Sequence, residues 1–194
     1  MADTPGDLSD LEKARSATLQ RIGRNVVNLQ KMEGMLKKLM IVGDISAPAS
    51  QLRAVIKKRI KKISQMSLGR LVEDASKALF AEIEPPSTIP ENIQEPWFSF
   101  TFKVHGGVDT VHPWRKELRL VVRERNRLIH QMLDSFDPHT VQGCQAFDEL
   151  LEAQRAQISV AYSAVESLLI AVREAIADII AGEVEIGVGP GNEQ

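Results

Sequence analysis

Cysteine is almost missing from this sequence. Cys144 is the only one in 194 residues, so no internal disulfide framework and no multi-cysteine zinc site can form. A single thiol suits a reducing compartment, with the cytoplasm as the default. A charge excess is missing too: 24 basic residues against 26 acidic ones leave a formal net charge of -2. The field of the whole chain therefore would not draw it to nucleic acid, although a local basic face could. The opening stretch, MADTPGDLSDLEKARS, lacks a basic region followed by an unbroken apolar run, so no secretory signal is visible. The most apolar window, ISVAYSAVESLLIAVREAIADII, is long enough to span a bilayer but contains Glu166, Arg173, Glu174 and Asp178. Each of these charges would cost roughly 2 to 3 kcal/mol in lipid. The window reads as a bundle helix, and no membrane partner is expected. No phosphate-binding glycine loop, nucleotide fingerprint or internal repeat occurs.

What the sequence does have is helical periodicity. With 43% hydrophobic residues it describes one domain able to bury a core. From about Asp7 to Val42, Leu8, Leu11, Leu19, Ile22, Val26, Leu29, Leu36 and Leu39 recur at steps of three and four, which places them on one helical stripe. GDISAPAS breaks this helix with Gly43 and Pro48. A second helical pattern runs from about Ser50 to Glu82, with Gly69 as a candidate bend. EPPSTIPENIQEPW holds four prolines and forms the main loop. FSFTFKVHGGV then alternates apolar and polar residues up to a glycine turn, as in a short strand or small hairpin. A third helix should start near Pro113 and end before Asp137. A fourth, from about Pro138 to Ala181, carries a heptad ladder of Leu151, Ile158, Val165, Val172 and Ile179, with Ala161, Leu168 and Ala175 interleaved. The expectation is an all-α protein, an antiparallel four-helix bundle with a long loop and a small β-hairpin before helix three. Its single domain should span residues 7–182, between a disordered start (1–6) and a flexible tail (183–194).

One stretch breaks the packing rule. In VVRERNRLIHQML, residues 121–133, a helical wheel gathers Leu118, Val121, Leu128, Ile129 and Met132 within roughly 60° of Arg125. An arginine on an apolar face cannot lose its charge, so it must meet an acid, reach water through a cleft, or bind an anion. A bundle acid such as Glu33 would be a purely structural partner. Asn126 and His130 stack on one flank, beside Arg123 and Arg127. This set of groups suits a phosphodiester. An imidazole can move a proton to or from a hydroxyl, guanidiniums match phosphate oxygens, and an amide can orient either partner. RNA brings its own nucleophile, the 2'-hydroxyl, so such a site calls for no metal and no cofactor. Arg125 and His130 stand about 140° apart on an α-helix. They converge on one substrate only if their side chains bend together or a second helix completes the cleft.

RNRLIH on the third long helix of an all-helical domain resembles the signature of the HEPN superfamily, an arginine, four to six residues, then a histidine, often with a polar residue after the arginine. The resemblance implies a helical bundle that usually forms a homodimer, with the motif helices facing each other as a metal-independent endoribonuclease, often in toxins or anti-phage defence. It implies phosphate binding and transition-state stabilisation for Arg125, proton transfer for His130 and positioning for Asn126. Arg123 also fits the spacing. HEPN toxins paired with a nucleotidyltransferase antitoxin carry a tyrosine two residues after the histidine, where this chain has Met132. An antitoxin or other protein partner remains open. The different-class alternative is a non-catalytic helical module that binds a protein.

Further candidates are weaker. Lys57, Lys58, Lys61 and Lys62 recur on one side of the second helix and can bind RNA phosphates, though such runs are more often a solvated face. His105, Asp109 and His112 flank the glycine turn without a closed metal-ligand spacing. Trp97, the strand phenylalanines, Trp114 and Tyr162 read as packing residues.

Overall fold

Glycine and serine positions decide where the helices stop. In the computed structural model, which describes residues 5–80, 94–104 and 108–181, α1 spans Pro5–Val42, starting just ahead of the expected Asp7. The Gly43 amide still donates to the carbonyl of Leu39 at 2.8 Å, and a Cβ on Gly43 would lie 2.8 Å from that same oxygen. Only a residue without a side chain lets the backbone leave the helix so tightly. The next residues, expected only to interrupt the helices, form β1 (Asp44–Pro48), which pairs antiparallel with β2 (Trp97–Thr101). The register runs from Asp44 opposite Thr101 to Pro48 opposite Trp97. The expected local hairpin is thus a ribbon between remote segments. The Trp97 indole donates to Ser46 Oγ at 2.9 Å.

The expected long second helix is two: α2 (Leu52–Ser64) and α3 (Leu68–Leu79). They separate because the Ser67 side chain accepts the Arg70 amide at 3.4 Å, capping a new helix start. Gly69, expected as a bend, lies inside the first turn of α3. Helix α4 (Val108–Arg127) contains Pro113 and runs into a π-helical turn at Leu128–Met132 and a 3-10 turn at Leu133–Ser135. Helix α5 (Val141–Ala181) follows. At its start, Asp137 accepts the His139 amide and the Thr140 hydroxyl, each at 2.9 Å, and Thr140 Oγ1 accepts the Gly143 amide at 3.0 Å. The His139 amide first, and then the Thr140 hydroxyl, hold the Asp137 carboxyl below its ordinary pKa.

The chain is therefore mostly helical, with five α-helices and one two-stranded antiparallel sheet among the described residues. Helices α1 and α5 run parallel. Arg15 reaches the Pro138 carbonyl, Thr18 that of Cys144 and Asn25 that of Leu151, while Arg21 meets Asp148 at 2.5 Å. Helix α4 runs antiparallel to α5: Gln154 lies against Glu124, and further along the pair Phe147 meets Phe136. Leu36, Leu39, Leu71, Leu118, Val121 and Leu151 are among the fully buried side chains. Each such burial contributes roughly 1.5 to 3 kcal/mol before conformational entropy is counted. The heptad ladder of α5 is buried at Leu151, Ile158, Val165 and Val172, whereas Ile179 is exposed. Among the described residues no helix is long and apolar enough to cross a membrane. The expected disordered start up to residue 4, residues 84–93 of the proline-rich loop (84–97), the glycine turn with His105 and the tail fall outside the described residues, as do the side chains of Asp109 and His112, while Trp97 at the end of that loop opens β2.

Candidate nucleic-acid interface on helix α4

Helix α4 has an apolar seam that packs inward through Leu118, Val121, Leu128 and Met132. Between Val121 and Leu128 the seam must pass position 124 or 125, and the residue it buries is Glu124, only 2% exposed. Arg125, expected at the centre of this face, is instead half-buried at its edge. A carboxylate is the shorter of the two groups, and here guanidiniums lie on either side of it. Arg123 Nε stands 3.7 Å from Glu124 Oε1 and Arg127 Nη1 stands 3.5 Å from Oε2. Attraction across those gaps offsets part of the desolvation cost of the buried charge. Gln154, itself buried, donates to the Glu124 backbone carbonyl at 2.9 Å and ties α5 to this turn.

Among the described residues Arg125 has no carboxylate partner. Its Nη1 donates to Asn126 Oδ1 at 3.1 Å. Glu33, the acid that would have made a structural pair, is held instead by Lys37 at 2.7 Å. His130 is exposed and stands inside the π turn, where the Leu133 amide donates to the Leu128 carbonyl five residues back. A π turn takes more residues per revolution than an α turn. It therefore reduces the angular separation of Arg125 and His130 from the value for an uninterrupted α-helix. Asn126 is exposed between them.

Beside these residues run three adjoining grooves that sequence reasoning missed. The first, about 1030 Å³, is lined by Arg115, Lys116, Glu117, Arg119, Arg123 and Gln157 among others. The second, about 480 Å³, lies between α3 and α4 and shares Arg115 and Arg119 with the first. The third, about 700 Å³, continues past Arg119 and Arg123 to Asn126, Arg127 and Gln131. Arg125 and His130 do not line them, while Asn126 does. The signal was present in WRKELRLVVRERNR, where arginines recur every four residues at 115, 119, 123 and 127. Lys57, Lys58, Lys61 and Lys62 are exposed on α2 and line none of these grooves.

Two of the three acids that line these grooves are engaged, and the third, Glu117 in the first groove, makes no ion pair among the described residues. Glu73, in the second groove, accepts from Lys77 Nζ at 2.7 Å, and that bond keeps its carboxyl below the ordinary pKa. Glu124 serves Arg123 and Arg127 together. Arg115 lies over the Phe80 ring at 5.9 Å, and its Nε is buried without a hydrogen-bond partner, as is Ser76 Oγ in the same groove. Among the described residues no cluster of three or more histidine, cysteine or acidic side chains could hold a metal.

Fold and site together define a class: a mostly helical protein with a small β-ribbon and an arginine-rich face on α4. Comparison with protein-family models, curated proteins and solved structures finds no match to this chain.

Proposed function

We propose that the protein is a metal-independent endoribonuclease of the HEPN type, built on a four-helix bundle whose principal helices are α1, α3, α4 and α5. In this reading two copies bring their α4 helices together. Arg125 binds the scissile phosphate and stabilises the charge that gathers on phosphorus. His130 takes the proton from the 2'-hydroxyl or gives one to the departing 5'-oxygen. The 2'-oxygen bonds to phosphorus, the bond to the 5'-oxygen breaks, and the product carries a 2',3'-cyclic phosphate. Asn126, already bonded to Arg125, orients the guanidinium.

One observation carries the reading. Arg125 is half-buried, has no acidic partner among the described residues, and is followed by an exposed histidine in a widened helical turn. Toxin or anti-phage roles, an antitoxin partner and a cytoplasmic site of action belong to the same proposal. The test is cleavage of a labelled mixed-sequence RNA in EDTA: the wild type should cut, and Arg125→Ala and His130→Ala should each abolish cutting.

A second reading, a helical scaffold for a protein partner, is favoured by Glu124. Its burial between Arg123 and Arg127, with Gln154 holding its carbonyl, fixes the register of α4 on α5 without any substrate. Absence of cutting by every preparation would select this reading.

A further inference from the structure

Arg115, Arg119, Arg123 and Arg127 stand one turn apart, which spaces them by about 6 Å along α4. That interval is of the same order as the separation of successive phosphates on an extended nucleic-acid strand. Arg119 and Lys116 are exposed and have no acidic partner within ion-pair distance among the described residues. Arg115 is anchored on Phe80 with an unpartnered buried Nε, and the buried Ser76 Oγ beside it is also unpartnered. Positively charged groups thus line one continuous path from Arg115 to Asn126. Of the acids that line it, Glu73 and Glu124 are bound to cations of their own, and Glu117, between Lys116 and Arg119, makes no ion pair among the described residues, so cations outnumber acids along the path.

From this geometry we infer that the α4 groove is a binding track for the phosphodiester backbone of single-stranded RNA. Arg115, Lys116 and Arg119 hold phosphates flanking the one engaged near Arg125. The anionic nature of the occupant follows from the groove. Its identity as RNA rests on the ribonuclease reading above. Contacts of this kind read backbone and not base, so the track adds affinity and length dependence without sequence preference.

The experiment measures binding, which separates the two proposals. Full-length protein carrying His130→Ala, so that RNA stays intact, is titrated with fluorescein-labelled single-stranded RNA of about 4 and about 12 nucleotides at two salt concentrations. The longer RNA should bind more tightly. Arg119→Glu should weaken its binding at least about tenfold and lower the salt slope by about 1. Arg173→Glu, the same charge change on the exposed surface of α5, should leave binding as it was. If Arg119→Glu matches the Arg173→Glu control, the track is overturned even if the wild type cleaves RNA. If no preparation cleaves but Arg119→Glu still loses binding, the track stands and the nuclease reading falls. Polyglutamate displacing RNA at equal charge concentration would also overturn the proposal, because the groove would then fit an acidic protein segment.

Discussion

At the scale of single residues, Glu124 and Arg125 show what a helical wheel can and cannot read. The wheel finds the buried seam at Leu118, Val121, Leu128 and Met132, but it also puts Ile129 there, which is exposed, and it centres the seam on Arg125 where Glu124 is the buried charge. It cannot choose between neighbours that straddle the seam. That choice depends on Arg123 and Arg127 flanking the carboxylate and on Gln154 arriving from a helix thirty residues on. Asp137 gives a residue-scale prediction. Its carboxyl is lowered by the His139 amide and the Thr140 hydroxyl. A depressed folded-state pKa adds stability above the unfolded value, about 3.9, and that stability is lost as pH falls through the folded value. Asp137→Asn should therefore lower the Tm more at pH near 7 than at pH near 3, as followed by circular dichroism. An equal Tm loss at both pH values would contradict this role.

At the scale of elements, the sequence makes the long helices plain and hides the short pieces. The end of α1 and the start of α5 are visible because Gly43 and Asp137-Pro138 are strong local breaks. The split between α2 and α3 is not, since it depends on one serine cap in an otherwise periodic stretch. The β1 strand contains Pro48 and too few residues for alternation to register, and its partner lies about fifty residues away. The π turn leaves no mark that composition could show, yet it sets where His130 points. The α5 ladder is the clearest case of pattern outrunning packing: its heptad continues to Ile179, but the last ladder residue to be buried is Val172. Leu151→Ala should cost about 2 to 5 kcal/mol in urea unfolding. Ile179→Ala should stay within about 0.5 kcal/mol, as for an exposed position. A large loss at Ile179 would mean that another chain covers the end of α5.

At the scale of the whole molecule, the parallel run of α1 beside α5 leaves α4 with its seam turned inward and its arginine side turned out. An arginine and a histidine separated on one helix are best reconciled with one phosphate if a second copy supplies the facing helix. Sedimentation at micromolar concentration should show a dimer. A mixture of inactive Arg125→Ala and His130→Ala chains, unfolded and refolded together, should regain part of the lost cleavage if each site draws on both copies. A strict monomer, or no recovery on mixing, would contradict the composite site. The central claim is that Arg125 and His130 cut RNA, and the most direct measurement is analysis of the RNA ends after incubation in EDTA with wild type and each variant. The account predicts 2',3'-cyclic phosphate ends with the wild type and intact RNA with Arg125→Ala and His130→Ala. Equal cutting by all three preparations, or by none over a range of RNAs, would contradict it.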